Sequence, residues 1–271
     1  MTKVAGIADQ KYVSKQYRDA SNLNARADLH RRFSTNPLGL CRWIFNQFHL
    51  PPTCRILELG CGPGGLWLEN IDRIPEGWEI HPTDASAGMV RQAQGALAPK
   101  RRGFRFGIAD AQAVPFAAGT FNAVIANHML YHVPDRAKAL SEIRRALGPG
   151  GRVYASTFGT NHMRELADLA AGFDPAWAVW GSGGLASETF TVENGAAQIA
   201  QAFTDVRLHR YEDALVVTES EPLVRYLLSG RLTLDGERWA GLTEYMAREL
   251  ERGGGSIRIT KETGLFEAVR I

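Results

Sequence analysis

The sequence predicts an α/β protein built on a doubly wound, mostly parallel sheet, with a helical segment ahead of it and a helical insertion behind. Three observations carry this. Residues 54–65, CRILELGCGPGG, place a short apolar run in front of glycines at 60, 62, 64 and 65, the pattern of a strand buried on both faces and cut off by a tight turn. From there to about residue 157, strand-like and helix-like stretches alternate with short connections, as in right-handed βαβ units. Finally, Glu58, Asp84 and Asp110 fall at the ends of three consecutive strands.

A length of 271 residues allows one large domain with additions. The reading is a helical lid over 1–50, a ligand-binding core over 51–160, and the rest of the sheet with cap insertions over 161–271. Hydrophobic residues at 45% and charged residues at 22% supply a sizeable core. A net charge of +2 is too small for a nucleic-acid surface, and the cluster Lys100-Arg101-Arg102 with Arg105 reads as a solvated loop. Cys41, Cys54 and Cys61 show neither disulfide nor zinc spacing, so no metal is expected and a reducing, cytoplasmic setting fits best. No apolar run reaches membrane-spanning or signal-peptide form.

Residues 11–33 read as a polar helix anchored by Tyr12, Tyr17, Leu23, Leu29 and Phe33. Asn36 as a cap and Pro37 at the first helical position predict a second helix to about His49, with Leu40, Ile44 and Phe48 in one stripe, stopped by Pro51-Pro52. The first strand, 55–59, runs into the glycine turn, and 66–71 predict a helix whose N-terminus favours an anionic group. The turn satisfies G-x-G-x-x-G and, read from Glu58, also E-x-G-x-G-x-G. A carboxylate there opposes a pyrophosphate and suits a ligand that carries positive charge.

The second strand, 78–83, ends at Asp84, 24 residues beyond Gly60, where a βαβ unit sets an acid against ribose hydroxyls. Pro82 is out of place inside a strand. Ser86 caps the next helix, which buries Met89, Ala93 and Leu97. The third strand, 104–108, ends at Asp110-Ala111, and the fourth is 121–126. The first and fourth strands flank the switch point of a doubly wound sheet, so Asn127, His128, Tyr131 and His132 are the polar groups best placed to face a ligand. Asp135 caps a helix carrying Ala139, Ile143 and Leu147, residues 148–151 stop it, and the fifth strand is 152–157. A helix over 162–173, a glycine- and tryptophan-rich loop over 175–187, and a helix over 191–203 capped at Thr191 come next. The remainder reads as strands at 205–210 and 214–218, helices at 223–228 and 237–250, and a last strand or hairpin turning at 261–264.

The segment ILELGCGPG, followed in order by acids at 84 and 110 and by LYHVPD, resembles the class I S-adenosylmethionine-dependent methyltransferases over roughly residues 54–160. The resemblance implies a Rossmann-like methyltransferase fold with seven strands, the last two antiparallel at one edge and separated here by an insertion over 219–253. It implies that Glu58, Gly60, Gly62, Gly64, Asp84, Ala85, Met89, Asp110, Ala111 and Asn127 hold S-adenosylmethionine, with Asp110 at the adenine. His132 falls on the family's usual histidine, and either His132 or His128 is the implied general base. Tyr17, Phe33 and Tyr131 are the implied acceptor contacts, and Tyr12 and Arg31 join Tyr17 and Phe33 as lid candidates. Asn122 stands where many relatives carry aspartate.

The function expected is transfer of the sulfonium methyl group to an O, N or C nucleophile of a small metabolite or natural product by in-line displacement. Two alternatives use the same glycines: an NAD-dependent oxidoreductase, against which Glu58 and Asp110 argue, and a non-catalytic nucleotide-binding module. Nucleic-acid acceptors are disfavoured by the charge balance and by Asn127-His128-Met129-Leu130, where a tetrapeptide of N/D-P-P-Y/F type would stand. Trp177, Trp180 and Phe190 lean towards a flat or apolar acceptor.

Overall fold

The computed structural model describes residues 21–180, 189–229 and 236–271. In chain order the elements are α1 (Ser21–Phe33), α2 (Leu40–Asn46), β1 (Cys54–Leu59), the single-turn α3 (Gly65–Leu68), β2 (Trp78–Asp84), α4 (Ala87–Leu97), β3 (Gly107–Ile108) and β4 (Phe121–Asn127). They continue with α5 (Arg136–Ala146), β5 (Leu147–Phe158), α6 (Arg164–Phe173), α7 (Gly195–Ile199), β6 (Thr204–Val217), α8 (Ser220–Leu228), α9 (Gly236–Arg252) and β7 (Ile257–Val269).

Seven strands form one sheet in the order β3-β2-β1-β4-β5-β7-β6. The first five are parallel, and β7 runs antiparallel to both β5 and β6. β1 is buried on both faces, as its apolar run requires: Leu57 and Leu59 enter one core, Cys54 and Ile56 the other. Pro82 fits because Ile80 directs its N–H to Gly103 on the β3 side. Two residues on, the position without an N–H faces the gap between the Ile80–Phe104 bridge and the start of β3 pairing.

A third core lies beyond the sheet. β5 ends at the pair Phe158–Thr263, whereas β6 and β7 stay paired out to Val217–Ile257. On this projecting hairpin, Leu215, Val217 and Ile259 pack with Leu29 and Phe33 of α1, Leu166 and Ala170 of α6, Leu223 and Leu227 of α8, and Leu242 and Met246 of α9. Each such side chain stabilises the cap by about 1.5–3 kcal/mol relative to exposure.

Several expected elements differ. α2 starts at Leu40, after Gly39 at φ 76, because Asn36 is used elsewhere: its N–H donates to Asp213 and its Oδ1 accepts from Leu38 N–H. It ends at Asn46, since His49 gives its N–H to the Tyr154 hydroxyl at 3.1 Å. The helix expected over 66–71 is one turn; Asn70 turns its amide onto the Leu66 and Cys41 carbonyls, and a 3₁₀ turn, Ile71–Arg73, follows. That removes the helix-terminus argument for an anionic ligand. The third strand shrinks to Gly107–Ile108 plus the bridge at Phe104.

The helix expected over 191–203 forms only at Gly195–Ile199, because Thr191 Oγ1 accepts from Asn194 N–H and closes a turn ahead of it. The strands expected at 205–210 and 214–218 are one strand, β6, and the final hairpin is one strand, β7. Gly264 marks a close approach rather than a turn: a Cβ there would lie 2.7 Å from Leu208 Cδ1. Residues 11–20 and 181–187, expected as helix and loop, lie outside the described residues. Among those described, no helix is long and apolar enough to cross a membrane.

Candidate functional site

β1 carries Glu58 to the sheet's carboxyl edge, where it is 2% exposed. Its Oε2 accepts from Trp67 Nε1–H at 2.6 Å. Burial pushes the Glu58 carboxyl up to about 8; the Trp67 bond opposes that rise and the Asp84 charge adds to it. In the turn that follows, Gly60 and Gly64 have φ 72 and 87. A Cβ at Gly60 would lie 2.8 Å from Met129 Cβ, and one at Gly64 2.8 Å from Leu97 Cδ1. The chain's own packing therefore demands these two glycines. Gly62 does something different: its N–H donates to Asp84 Oδ2 at 3.0 Å and ties the turn to the neighbouring strand end.

Asp84 also accepts from Ser86 N–H at 2.8 Å, while Ser86 caps α4. Burial raises the Asp84 carboxyl against these two backbone bonds. Ala85 is exposed, and Met89 is buried in α4 against the core. Past β3, Asp110 stays exposed, and its Oδ1 accepts from Gln112 N–H at 2.8 Å; Ala111 is buried. The three acids occupy successive strand ends in three environments, from enclosed to open.

At the end of β4 the chain leaves the sheet abruptly. Asn127 pairs in register with Ser156 of β5, and His128 donates its N–H to the Ser156 carbonyl. His128 then adopts φ 50, a left-handed conformation rare for a side-chain-bearing residue and common at functional sites. Asn127 Oδ1, His128 Nε2 and Ser156 Oγ are all buried without a hydrogen-bond partner, against the rule that buried polar atoms are paired. Burial, then the charges of Lys261 and His132, push His128 down to about 4. Tyr131 and His132 follow in the 3₁₀ turn Leu130–His132, their rings 4.5 Å apart. Asp135 is a cap, accepting from Lys138 N–H at 2.9 Å.

The structure thus gathers Glu58, Asp84, Asn127, His128, Tyr131 and His132 along one sheet edge. It places others elsewhere. Phe33 and Trp177 belong to the cap core and Phe190 to the core beneath the sheet, against Phe266; Trp180 closes the turn Pro175–Trp180. Arg31 points to solvent and pairs with Asp28, its side chain 79% exposed. Tyr12 and Tyr17 lie outside the described residues. Sequence reasoning missed Trp67 and Ser156 as site residues, since neither carries a spacing signal.

Residues 57–155 match a family model described as a methyltransferase domain. This segment is a class I methyltransferase domain. The chain is 26% identical to the biotin biosynthesis bifunctional protein BioHC of Saccharophagus degradans, over 86% of this chain and 42% of that protein. It is 32% identical to the ubiquinone/menaquinone biosynthesis C-methyltransferase UbiE of Geobacter sulfurreducens, over 49% of this chain and 50% of the relative. It spans about half the length of the curated relatives it matches. Among solved structures, the [4+2]-cyclase SpnF superposes at TM-score 0.60 with 16% identity, covering 98% of this chain and 97% of that one. That likeness shows the fold, and the methyltransferase domain owes its name to the family match.

Proposed function

We propose that this chain transfers the sulfonium methyl group of S-adenosylmethionine to an oxygen, nitrogen or carbon nucleophile of a small molecule. The observation that carries the reading is the line of acids at three successive strand ends beside an orphaned acceptor. Asn127 Oδ1 is buried with no donor, as a site awaiting an ammonium would leave it. Glu58 is an enclosed acid that a nearby cation would ionise, and Asp84 keeps lone pairs beyond its two backbone bonds. These residues fit the ligand. In this reading Glu58 and Asn127 face the amino-acid end, Asp84 the ribose and Asp110 with Ala111 the adenine, while Gly60, Gly62, Gly64, Ala85 and Met89 shape the walls.

When bound, S-adenosylmethionine supplies a methyl group already activated by the positive sulfur. The chain's own work is then to hold the acceptor in line, worth up to ~7–11 kcal/mol. Where the nucleophile carries a proton, His128 Nε2 or His132 accepts it, contributing about 10²–10⁴-fold. His128 is neutral and enclosed, but burial that holds it at about 4 makes it a weaker base than an ordinary imidazole until a bound ligand changes its surroundings. The three cysteines are unpaired among the described residues, which suits a cytoplasmic setting. The modest charge favours a small-molecule acceptor over nucleic acid.

Calorimetry tests the reading directly. S-Adenosylhomocysteine should bind and NAD should not, and Asp84→Ala should weaken the first at least tenfold. Binding of NAD with no heat from the sulfur compound would overturn it.

A further inference from the structure

The bond between Trp67 and Glu58 is held from both sides. The indole of Trp67 is fully covered, packed in the core with Ile44, Ala93 and Leu97 and with its ring 6.4 Å from that of Phe104. Its backbone is fixed as well: the single turn α3 starts on the left-handed Gly64, and the Asn70 amide ties the Leu66 carbonyl to that of Cys41. Glu58 is anchored at its carbonyl, which accepts from Thr83 Oγ1–H at 2.6 Å, and at Oε2, which accepts from Trp67 Nε1–H at 2.6 Å. Among the described residues no second hydrogen bond reaches the carboxyl. Its other oxygen, Oε1, is not one of the fully covered unpaired atoms, so the small surface that Glu58 keeps includes this oxygen.

An indole N–H donates and never accepts. In the neutral acid it claims Oε2 as the carbonyl oxygen and leaves the proton on Oε1, the oxygen with open surface. In the carboxylate the same bond becomes charge-assisted and about twice as strong, so Trp67 favours ionisation. The other groups facing this carboxyl give no such help. Asp84, at the end of β2, opposes a second negative charge. Cys61 in the turn and Cys41 of α2 are pushed up by burial and stay neutral thiols, and Glu69 beside Cys41 is a further acid. Among the described residues Trp67 alone offsets the cost of burying the Glu58 charge.

We propose that Trp67 is a positioning residue of the cofactor site: its N–H anchors Glu58 Oε2, leaves Oε1 to meet the ligand's ammonium group, and sets the pH at which the two can pair. The proposal rests on the methyl-transfer reading above. On binding, the O–H bond at Oε1 breaks, its electron pair stays on the carboxylate, and the proton leaves to the buffer. Trp67 keeps its own proton throughout. Being fully covered, it touches no ligand and acts only through Glu58.

The test is calorimetry of S-adenosylhomocysteine on the full chain from pH 6 to pH 9.5, parent against Trp67→Phe. The ligand's own amine titrates alike in both and drops out of the ratio. Trp67→Phe should bind about tenfold more weakly at pH 7, and the loss should close to within about threefold at pH 9.5, where both proteins hold Glu58 ionised. A loss of equal size at every pH is what a packing role alone would give, and it would overturn the proposal, as would no loss at pH 7. In the Glu58→Gln background, Trp67→Phe should cause no pH-dependent loss; one that persists there counts against it equally. A second measurement needs no change at position 67. In the free, nitrogen-15-labelled parent, one indole N–H resonance should move downfield as pH rises through about 8 and stay still in Glu58→Gln; absence of any such resonance overturns the pairing. Failure of S-adenosylhomocysteine to bind the parent would sink the methyl-transfer reading itself, whereas its binding with a flat pH ratio or a silent indole sinks the role of Trp67 alone.

Discussion

Glu58 links the site to pH. The folded chain holds a proton on it up to about pH 8, whereas the ordinary value is 4.5, so between those values the folded state binds the proton that the unfolded state releases. Its contribution favours folding below the ordinary value and is lost as pH rises through about 8. Urea denaturation should show Glu58→Gln gaining stability over the parent from pH 5 to pH 9. Ligand binding carries the same signature: calorimetry of S-adenosylhomocysteine at pH 7 in two buffers of different ionisation enthalpy should detect proton release, absent in Glu58→Gln. Gly60→Ala should cost roughly 2–4 kcal/mol in chemical denaturation, through its left-handed φ and the Met129 contact. Glu58 was legible in the sequence because a strand followed by glycines fixes its place, and Asp84 because it ends the next strand at βαβ spacing from Gly60. Trp67 was not, since nothing in local pattern says which indole reaches a buried acid.

Among the elements, the β6–β7 hairpin bears the most on the site. Asp213 accepts from Ser34 Oγ at 2.7 Å, from Asn36 N–H at 3.0 Å and from Lys261, and its side chain is wholly covered. Asp213→Ala strands a buried ammonium and should cost about 3 kcal/mol in thermal or urea unfolding, much of it recovered in the double variant Asp213→Ala/Lys261→Met. Equal losses in the single and double variants would contradict that account. The same acid explains why α2 starts late: Asn36 reads locally as a helix cap, yet its N–H is taken by a residue far along the chain. Strand identity was legible in β1 and β4, where burial on both faces goes with the apolar runs Ile56-Leu57 and Ala123-Val124-Ile125-Ala126, and in β2 despite its polar residues. It failed at β7, where Lys261-Glu262-Thr263-Gly264 has turn composition but sits in a ladder that only the partner strand reveals. Single-turn α3 and the shortened β3 were misjudged because side-chain bonds, such as those of Asn70, end helices without leaving a glycine or proline to mark the place.

At the scale of the whole molecule, the parallel core was foreseen from the alternation of elements and the antiparallel last pair from the family resemblance, while the separate cap core was foreseen only as an insertion. A fold shared with a cyclase does not by itself name a reaction, so ligand linkage is the decisive global measurement. S-Adenosylhomocysteine at one hundred times its Kd should stabilise the chain by about 2.7 kcal/mol, raising Tm by roughly 5–10 °C; Asp84→Ala at the same concentration should show a much smaller rise. The cap has one more consequence. Its helices α8 and α9 leave the sheet after Val217 and return at Ile257, and these two residues are ladder partners, about one strand spacing apart, ~5 Å. A segment grafted in place of this cassette has therefore to close a gap of one strand spacing and also to cover Leu215, Val217 and Ile259, which the two helices bury.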